Sequence, residues 1–214
     1  MIKGVIFDCD GVLLDSEPLF AAGQVDLLKG YGIEDCQTII DEYNGTTMDF
    51  FAKAVIERCH LDENPESFVI REKQALEPYF SDENLAPMPG LLPFLAEMKK
   101  RGIRMGIASS SDRTYVLHKT DLFGITDYFQ VIVTGDMITH SKPDPEIYNK
   151  AVSLMNLEKQ EILVVEDAPK GIASAAAAGL FTAGLKASEV VQDTSEADIE
   201  VNSYQELLER VFGI

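Results

Sequence analysis

Residues 4–7, Gly-Val-Ile-Phe, form an uninterrupted apolar run that ends abruptly in Asp8-Cys9-Asp10-Gly11. A short apolar run without polar alternation is the pattern of a strand buried on both faces. Similar runs return at 103–108, 130–133, 162–165 and 180–185, with a shorter one at 198–201. Between and after them the pattern turns helical, over 91–101, 112–122, 145–156, 171–178 and 203–212. Strands alternating with helices predict the α/β class, with a doubly wound, Rossmann-like parallel sheet. The alanines at 175–178 fall in one of these helices and suit close packing on the sheet.

Residues 16–85 break this alternation. They read as helices over 17–30, 34–43, 47–59 and 65–79, with no strand. Ser16 is the expected N-cap of the first, with Glu17 and Pro18 in its first turn and Gly30 and Gly32 beyond its end. Asn44-Gly45 and Asn64-Pro65 are the expected breaks, and Leu85-Ala86-Pro87-Met88-Pro89-Gly90 reads as a linker. The expected organisation is therefore an α/β core of 1–15 and 86–214 with an inserted all-helical domain at 16–85.

Composition narrows the function classes. The 214 residues suffice for one large domain or two modest ones. A net charge of −18, from 18 basic and 36 acidic residues, argues against a nucleic-acid surface and against binding to anionic membranes. An anionic ligand would need a local cation, either a metal ion or one well-placed lysine. No apolar run approaches the roughly 18 residues of a membrane helix, and the chain opens on its first strand without a secretory leader pattern. Cys9, Cys36 and Cys59 are odd in number and lack metal spacing, so reduced thiols and a cytoplasmic location are expected. Nothing in the sequence demands more than a monomer.

The chemistry gathers where strands end, which is where doubly wound sheets bind ligands. Asp8 and Asp10 leave the same side of the chain if the pleat continues, and Cys9 points the other way, into the packing. Two close carboxylates need a cation or a proton between them, so the pair suits a metal site or an acid/base pair. After the 103–108 strand come Ser109-Ser110-Ser111-Asp112, whose hydroxyls and free N–H groups can cradle an anion or can simply cap a helix. After the 130–133 strand comes Ser141-Lys142-Pro143-Asp144-Pro145. Its lysine is conformationally restricted by the following proline and can neutralise a phosphate, although most lysines are solvated. His140 beside it reads as a loop residue. After the 162–165 strand come Glu166-Asp167, an invitation to a hard cation or ordinary acidity at a helix N-terminus. That last explanation covers one acid after one strand. It does not cover acids after two strands together with a serine and a lysine after two others.

Taken in order, Asp8-Cys9-Asp10-Gly11-Val12, Ser109, Lys142 and Glu166-Asp167 resemble the four motifs of the haloacid dehalogenase superfamily of phosphohydrolases. The resemblance runs through the whole chain. It is to the branch with a helical cap after the first strand, which includes β-phosphoglucomutase-like proteins and sugar-phosphate phosphatases. It implies a Mg²⁺-dependent phosphatase acting on a small phosphate ester through an aspartyl-phosphate. Asp8 would be the nucleophile and Asp10 the proton shuttle. Mg²⁺ would be held by Asp8, Asp10 through its backbone carbonyl, Asp167 and Glu166, and the phosphoryl oxygens by Ser109, Ser110 and Lys142. The acid at position 10 separates phosphoryl transfer from dehalogenation within the family pattern, and the cap would choose the substrate. The β-phosphoglucomutases carry a histidine and an arginine in the cap where this chain has Phe20 and Met48, which favours a phosphatase over the alternative phosphomutase. A phosphoryl-accepting receiver would not account for the helical insert or for Asp10. A non-catalytic binding protein would be expected to have lost a motif residue, and none is missing.

Overall fold

Strand β1 (Gly4–Phe7) is buried along its whole length. It pairs in parallel with β2 (Arg104–Ala108) on one side and with β4 (Ile162–Glu166) on the other. With β3 (Val131–Val133), β5 (Phe181–Leu185) and β6 (Ile199–Val201) these form a six-stranded parallel sheet in the order β3-β2-β1-β4-β5-β6. The computed structural model describes residues 1–43, 46–190 and 192–214. It divides into two compact units, Met1–Asp15 with Ala86–Ile214, and Ser16–Leu85.

Alternate residues of the buried strands feed two separate cores. Val5, Phe7, Met105, Ile107, Leu163 and Val165 face the layer that contains α5 (Leu91–Lys100), α6 (Arg113–Leu122) and α9 (Tyr204–Leu207). Ile6, Ala108, Val133, Ile162 and Val164 face α7 (Glu146–Met155) and α8 (Pro169–Ala177). A sheet covered on both faces is why its strands read as continuous apolar runs rather than as alternating ones. Ala175 and Ala178 are buried in the second core, the close packing expected of the alanine run. The chain runs outward from β1 through β2 to β3, then returns to β4 on the opposite side of β1. The crevice beyond the carboxyl ends of β1 and its neighbours is thereby the topological switch point.

Ser16–Leu85 holds α1 (Glu17–Gly30), α2 (Cys36–Tyr43), α3 (Met48–Cys59) and α4 (Pro65–Leu76) around Leu28, Ile39, Ile40, Phe51, Val55 and Phe68. Asn64 caps α4 by accepting from the Ser67 N–H at 2.8 Å, and Pro65 occupies the first turn. The expected break at Asn44-Gly45 lies outside the described residues.

Most element ends match the sequence pattern to within about two residues, and the exceptions have physical causes. β1 stops at Phe7, so a loop and not the pleat carries Asp8 and Asp10. Cys9 is nonetheless fully buried in the core, as expected. α4 stops at Leu76 rather than 79: Glu77 keeps helical angles and donates to the Lys73 carbonyl, but Pro78 lacks the N–H that would carry the ladder on. α8 begins at Pro169 rather than 171, since proline suits a first helical turn. Ser16 precedes α1 but makes no side-chain capping bond. The final helix is α-helical only to Leu207 and π-helical over Leu208–Phe212. Five residues are too few for an apolar period to separate the two windings.

Among the described residues of the helical unit, one acid is buried outright. Glu72 of α4 is inaccessible to solvent and accepts from Gln24 Nε2 of α1 at 2.8 Å. Burial lifts its pKa from 4.5 to about 7, against the opposing effects of Gln24 and Lys73. Because the folded value exceeds the unfolded one, the protonated acid favours the fold. That contribution is complete below about pH 4.5 and is lost as the pH rises to about 7. Glu72→Gln is therefore expected to be more stable than wild type at pH 8 by on the order of 3 kcal/mol in denaturant titrations, and to match it near pH 4.5. A pH-independent difference between the two proteins would refute the assignment.

Candidate active site

The register of the sheet sets three strand ends level. Phe7 lies opposite Ile107 on one side and Val165 on the other, so Asp8, Ala108 and Glu166 follow in one row. The Lys142 ammonium closes that row. It donates to Asp8 Oδ1 at 2.6 Å, to the Ala108 carbonyl at 3.0 Å and to Glu166 Oε1 at 2.6 Å. It also lies 5.0 Å from the centre of the Tyr148 ring, whose hydroxyl donates to Glu166 Oε1. Only 7% of the Lys142 side chain is exposed, so the solvated-lysine reading does not describe it.

Local structure holds this lysine in place. Glu146, in the first turn of α7, accepts from the Thr139 and His140 backbone N–H groups at 2.9 and 2.8 Å. Asp144 accepts from the Glu146 N–H at 2.9 Å, and its carbonyl accepts from Ser174 Oγ of α8 at 2.6 Å. The Lys142–Pro143 peptide is cis. His140 is a loop residue with its ring on Glu146.

Carboxylate oxygens of Asp8, Glu166 and Asp167 all lie within 4.8 Å of one another. Two glycines make room for these acids. A Cβ on Gly11, whose φ is +73°, would lie 1.9 Å from Asp167 Oδ2. A Cβ on Gly171 would lie 1.9 Å from Glu166 Oε1. An all-oxygen donor set of acids, cradled where side chains are excluded, fits a hard divalent cation.

Burial of this much negative charge shifts protons. Asp8 is raised to about 7, first by burial and then by Glu166 and Asp10, with Lys142 opposing. Burial raises Asp10 as well, against the hydrogen bonds it accepts. Burial works against the Lys142 charge, but Asp8 and Glu166 hold its pKa well above the ordinary lysine value.

The serine turn after β2 adds the fourth side of the site. Ser109 is buried, its N–H donates to the Val133 carbonyl at 3.0 Å, and its Oγ accepts from the Ser111 N–H at 3.1 Å. Ser110 is exposed. Its carbonyl would stand 2.2 Å from a Cβ at position 135, so Gly135 is what lets the loop after β3 approach this turn. Asp112 caps α6 by accepting from the Tyr115 N–H at 2.9 Å.

The structure thus brings Asp8, Lys142, Glu166 and Asp167 together, with Ser109 and Ser110 at the end of the adjacent strand. Asp10 lies beside them and is held by two residues to which the sequence reading gave no such role. Tyr115 Oη donates to Asp10 Oδ1 at 2.8 Å, and Ser111 Oγ donates to Asp10 Oδ2 at 3.2 Å. Tyr115 sits inside a helix and outside the strand-end motifs. The only cue in the sequence is its spacing, three residues after the capping Asp112, which turns it back toward the strand end.

Residues 5–185 match the family described as haloacid dehalogenase-like hydrolase, and the chain belongs to that family. It is similar to a phosphorylated carbohydrates phosphatase of Thermotoga maritima, 29% identical over 84% of this chain and 82% of that protein. It is also similar to a fructose-1-phosphate phosphatase of Escherichia coli, 30% identical over 83% of this chain and 93% of that protein. Among solved structures, a haloacid dehalogenase-like protein of Agrobacterium tumefaciens superposes with a TM-score of 0.88 over 100% of this chain and 99% of that one, at 21% identity. That likeness concerns the fold. No described helix is long and apolar enough to cross a membrane.

Removing the cation at position 142 leaves buried carboxylates facing one another. In chelator-treated buffer, Lys142→Met is expected to lose about 3 kcal/mol of stability, the typical cost of breaking a buried pair. Asp8, already raised to about 7, rises further without its cation. Its protonated form then favours the fold more strongly, and that contribution is lost as the pH rises. The deficit of the variant should therefore be wider at pH 8 than at pH 5 in denaturant titrations. An equal deficit at both pH values would show that the ion pair does not carry it.

Proposed function

We propose that this chain is a Mg²⁺-dependent phosphatase that hydrolyses a small phosphorylated metabolite, a sugar or polyol phosphate, through an aspartyl-phosphate on Asp8. The observation that carries the reading is the row at the strand ends: one buried ammonium held between Asp8 and Glu166, with Asp167 completing an oxygen-rich cluster. The cluster sets the Lys142 ammonium against Asp8, Glu166 and Asp167, an excess of negative charge that suits a phosphate ester arriving together with a metal ion. Family membership and the similarity to two sugar-phosphate phosphatases support the same class.

In this reading an Asp8 carboxylate oxygen attacks phosphorus, and the bond from phosphorus to the ester oxygen breaks. Asp10 gives its proton to the departing oxygen. It then takes a proton from the water that attacks the phosphorus of the aspartyl-phosphate, releasing inorganic phosphate and restoring Asp8. Burial, which raises Asp10, suits a carboxyl that must carry a proton for part of the cycle. Lys142, Ser109 and the Ser110 N–H would hold phosphoryl oxygens in line for both steps. Mg²⁺ would be held by Asp8, the Asp10 carbonyl, Asp167 and Glu166, and would supply charge against the phosphoryl oxygens while keeping Asp8 ionised. We assign the choice of ester to the inserted unit at 16–85. Phe20 there packs edge-on against Phe80, 5.1 Å between ring centres, and offers no charge to a second phosphate.

Asp8→Asn is expected to abolish Mg²⁺-dependent release of phosphate from 4-nitrophenyl phosphate while leaving thermal unfolding near that of wild type. Near-wild-type turnover in that variant would sink the mechanism. A panel of phosphorylated sugars and polyols, read by released phosphate, should contain the fastest substrates. Isomerisation of glucose 1-phosphate without phosphate release would instead mark a phosphomutase.

A further inference from the structure

The Asp10 carboxylate is gripped on both oxygens by one short segment, the serine turn and the first turn of α6. Tyr115 Oη donates to Oδ1 at 2.8 Å and Ser111 Oγ donates to Oδ2 at 3.2 Å. The two donors are themselves fixed. Asp112, between them, accepts from the Tyr115 N–H, and Asp136 accepts from the Arg113 N–H at 3.1 Å, which ties the start of α6 to the loop after β3. The Ser111 carbonyl accepts from the Gly135 N–H at 2.9 Å. Lys119, one helical turn further along α6 and nearly buried, places its ammonium 5.6 Å from the centre of the Tyr115 ring. A tyrosine that served only as packing would not need its hydroxyl on a carboxylate, nor a buried cation against its ring.

We propose that Tyr115, supported by Lys119 and paired with Ser111, is a positioning residue that holds the Asp10 carboxyl in the orientation needed to reach the departing ester oxygen. The proposal rests on the phosphatase reading above and deepens it. Tyr115 acts through Asp10, so its effect on the first step, formation of the aspartyl-phosphate, must depend on how much the leaving group needs a proton. An alkyl phosphate expels a basic alkoxide and depends on the acid. 4-Nitrophenyl phosphate expels a weakly basic phenolate and depends on it little.

The test compares wild type, Tyr115→Phe, Asp10→Asn and the double variant on two esters with Mg²⁺ present. One is 4-nitrophenyl phosphate, and the other is whichever of fructose 1-phosphate and sorbitol 6-phosphate the wild type turns over faster. Tyr115→Phe is expected to lose roughly tenfold or more in kcat/KM, which covers the steps through departure of the ester oxygen, on the alkyl ester and under about threefold on the aryl ester, a fraction of the acid's full contribution of about 10²–10⁴. In the Asp10→Asn background the same change should cost under about twofold on the alkyl ester, because the partner through which it acts is gone. Ser111→Ala should show the same split between esters, which keeps the test open if Tyr115→Phe folds poorly. Equal losses of kcat/KM on both esters, or full additivity with Asp10→Asn, would overturn the positioning role and leave the phosphatase reading standing. No hydrolysis of either ester by the wild type would overturn both.

Discussion

The site depends on one buried ammonium. Three parallel strands end level with one another, and their row of Asp8, Ala108 and Glu166 presents two carboxylates and a carbonyl to the same point. Without a cation there, this arrangement would set like charges face to face in a poorly solvated crevice. Lys142 resolves the conflict, and the surrounding loop serves to keep it there. Thr139, His140, Asp144 and Ser174 all make hydrogen bonds that fasten the segment around Lys142 to α7 and α8. The same placement makes the site useful. In the proposed reaction, a cation held by acids rather than by solvent would be pre-oriented for a phosphoryl group and would need no reorganisation when one arrives.

Crowding is the second constraint. Acids can stand so close to the backbone only where side chains are missing, as at Gly11 and Gly171, and Gly135 gives the Ser110 carbonyl its room in the same way. Gly11 also has a positive φ, which turns the chain immediately after Asp10. The loop after β1 therefore serves Asp10 and Asp167 at once. Gly135 joins the loop that leads to Lys142 to the serine turn that leads to Tyr115. The hydrogen bonds on both sides of the site thus run through the segment after β3.

Much of this was legible in the sequence, for physical reasons. Strands buried on both faces leave apolar runs that need no alignment to be seen, and the polar groups that interrupt them mark the carboxyl ends where ligands bind. Asp8, Lys142, Glu166 and Asp167 were found in this way. The argument from strand pleating for Asp8 and Asp10 reached the right neighbourhood although the strand ends one residue before Asp8. What stayed hidden was contact between distant parts of the chain. Tyr115 is an unremarkable helical tyrosine until the fold sets it against Asp10, 105 residues away in sequence. Nor does the pattern of α4 reveal that Glu72 faces α1 with Gln24 as its partner, since a charged residue on a helix is ordinarily read as solvated. The π-helical end of the chain and the early stop of α4 belong to local geometry that a periodicity cannot resolve.

The central claim is covalent: the phosphoryl group passes through Asp8. The most direct measurement is rapid acid quenching of the enzyme during turnover of 4-nitrophenyl phosphate with Mg²⁺, followed by mass spectrometry of the peptide that contains Asp8. The account predicts one added phosphoryl group on Asp8, formed within the first turnover and absent from Asp8→Asn. Active turnover with that peptide unmodified at every quench time, or the adduct on any other residue, would contradict it.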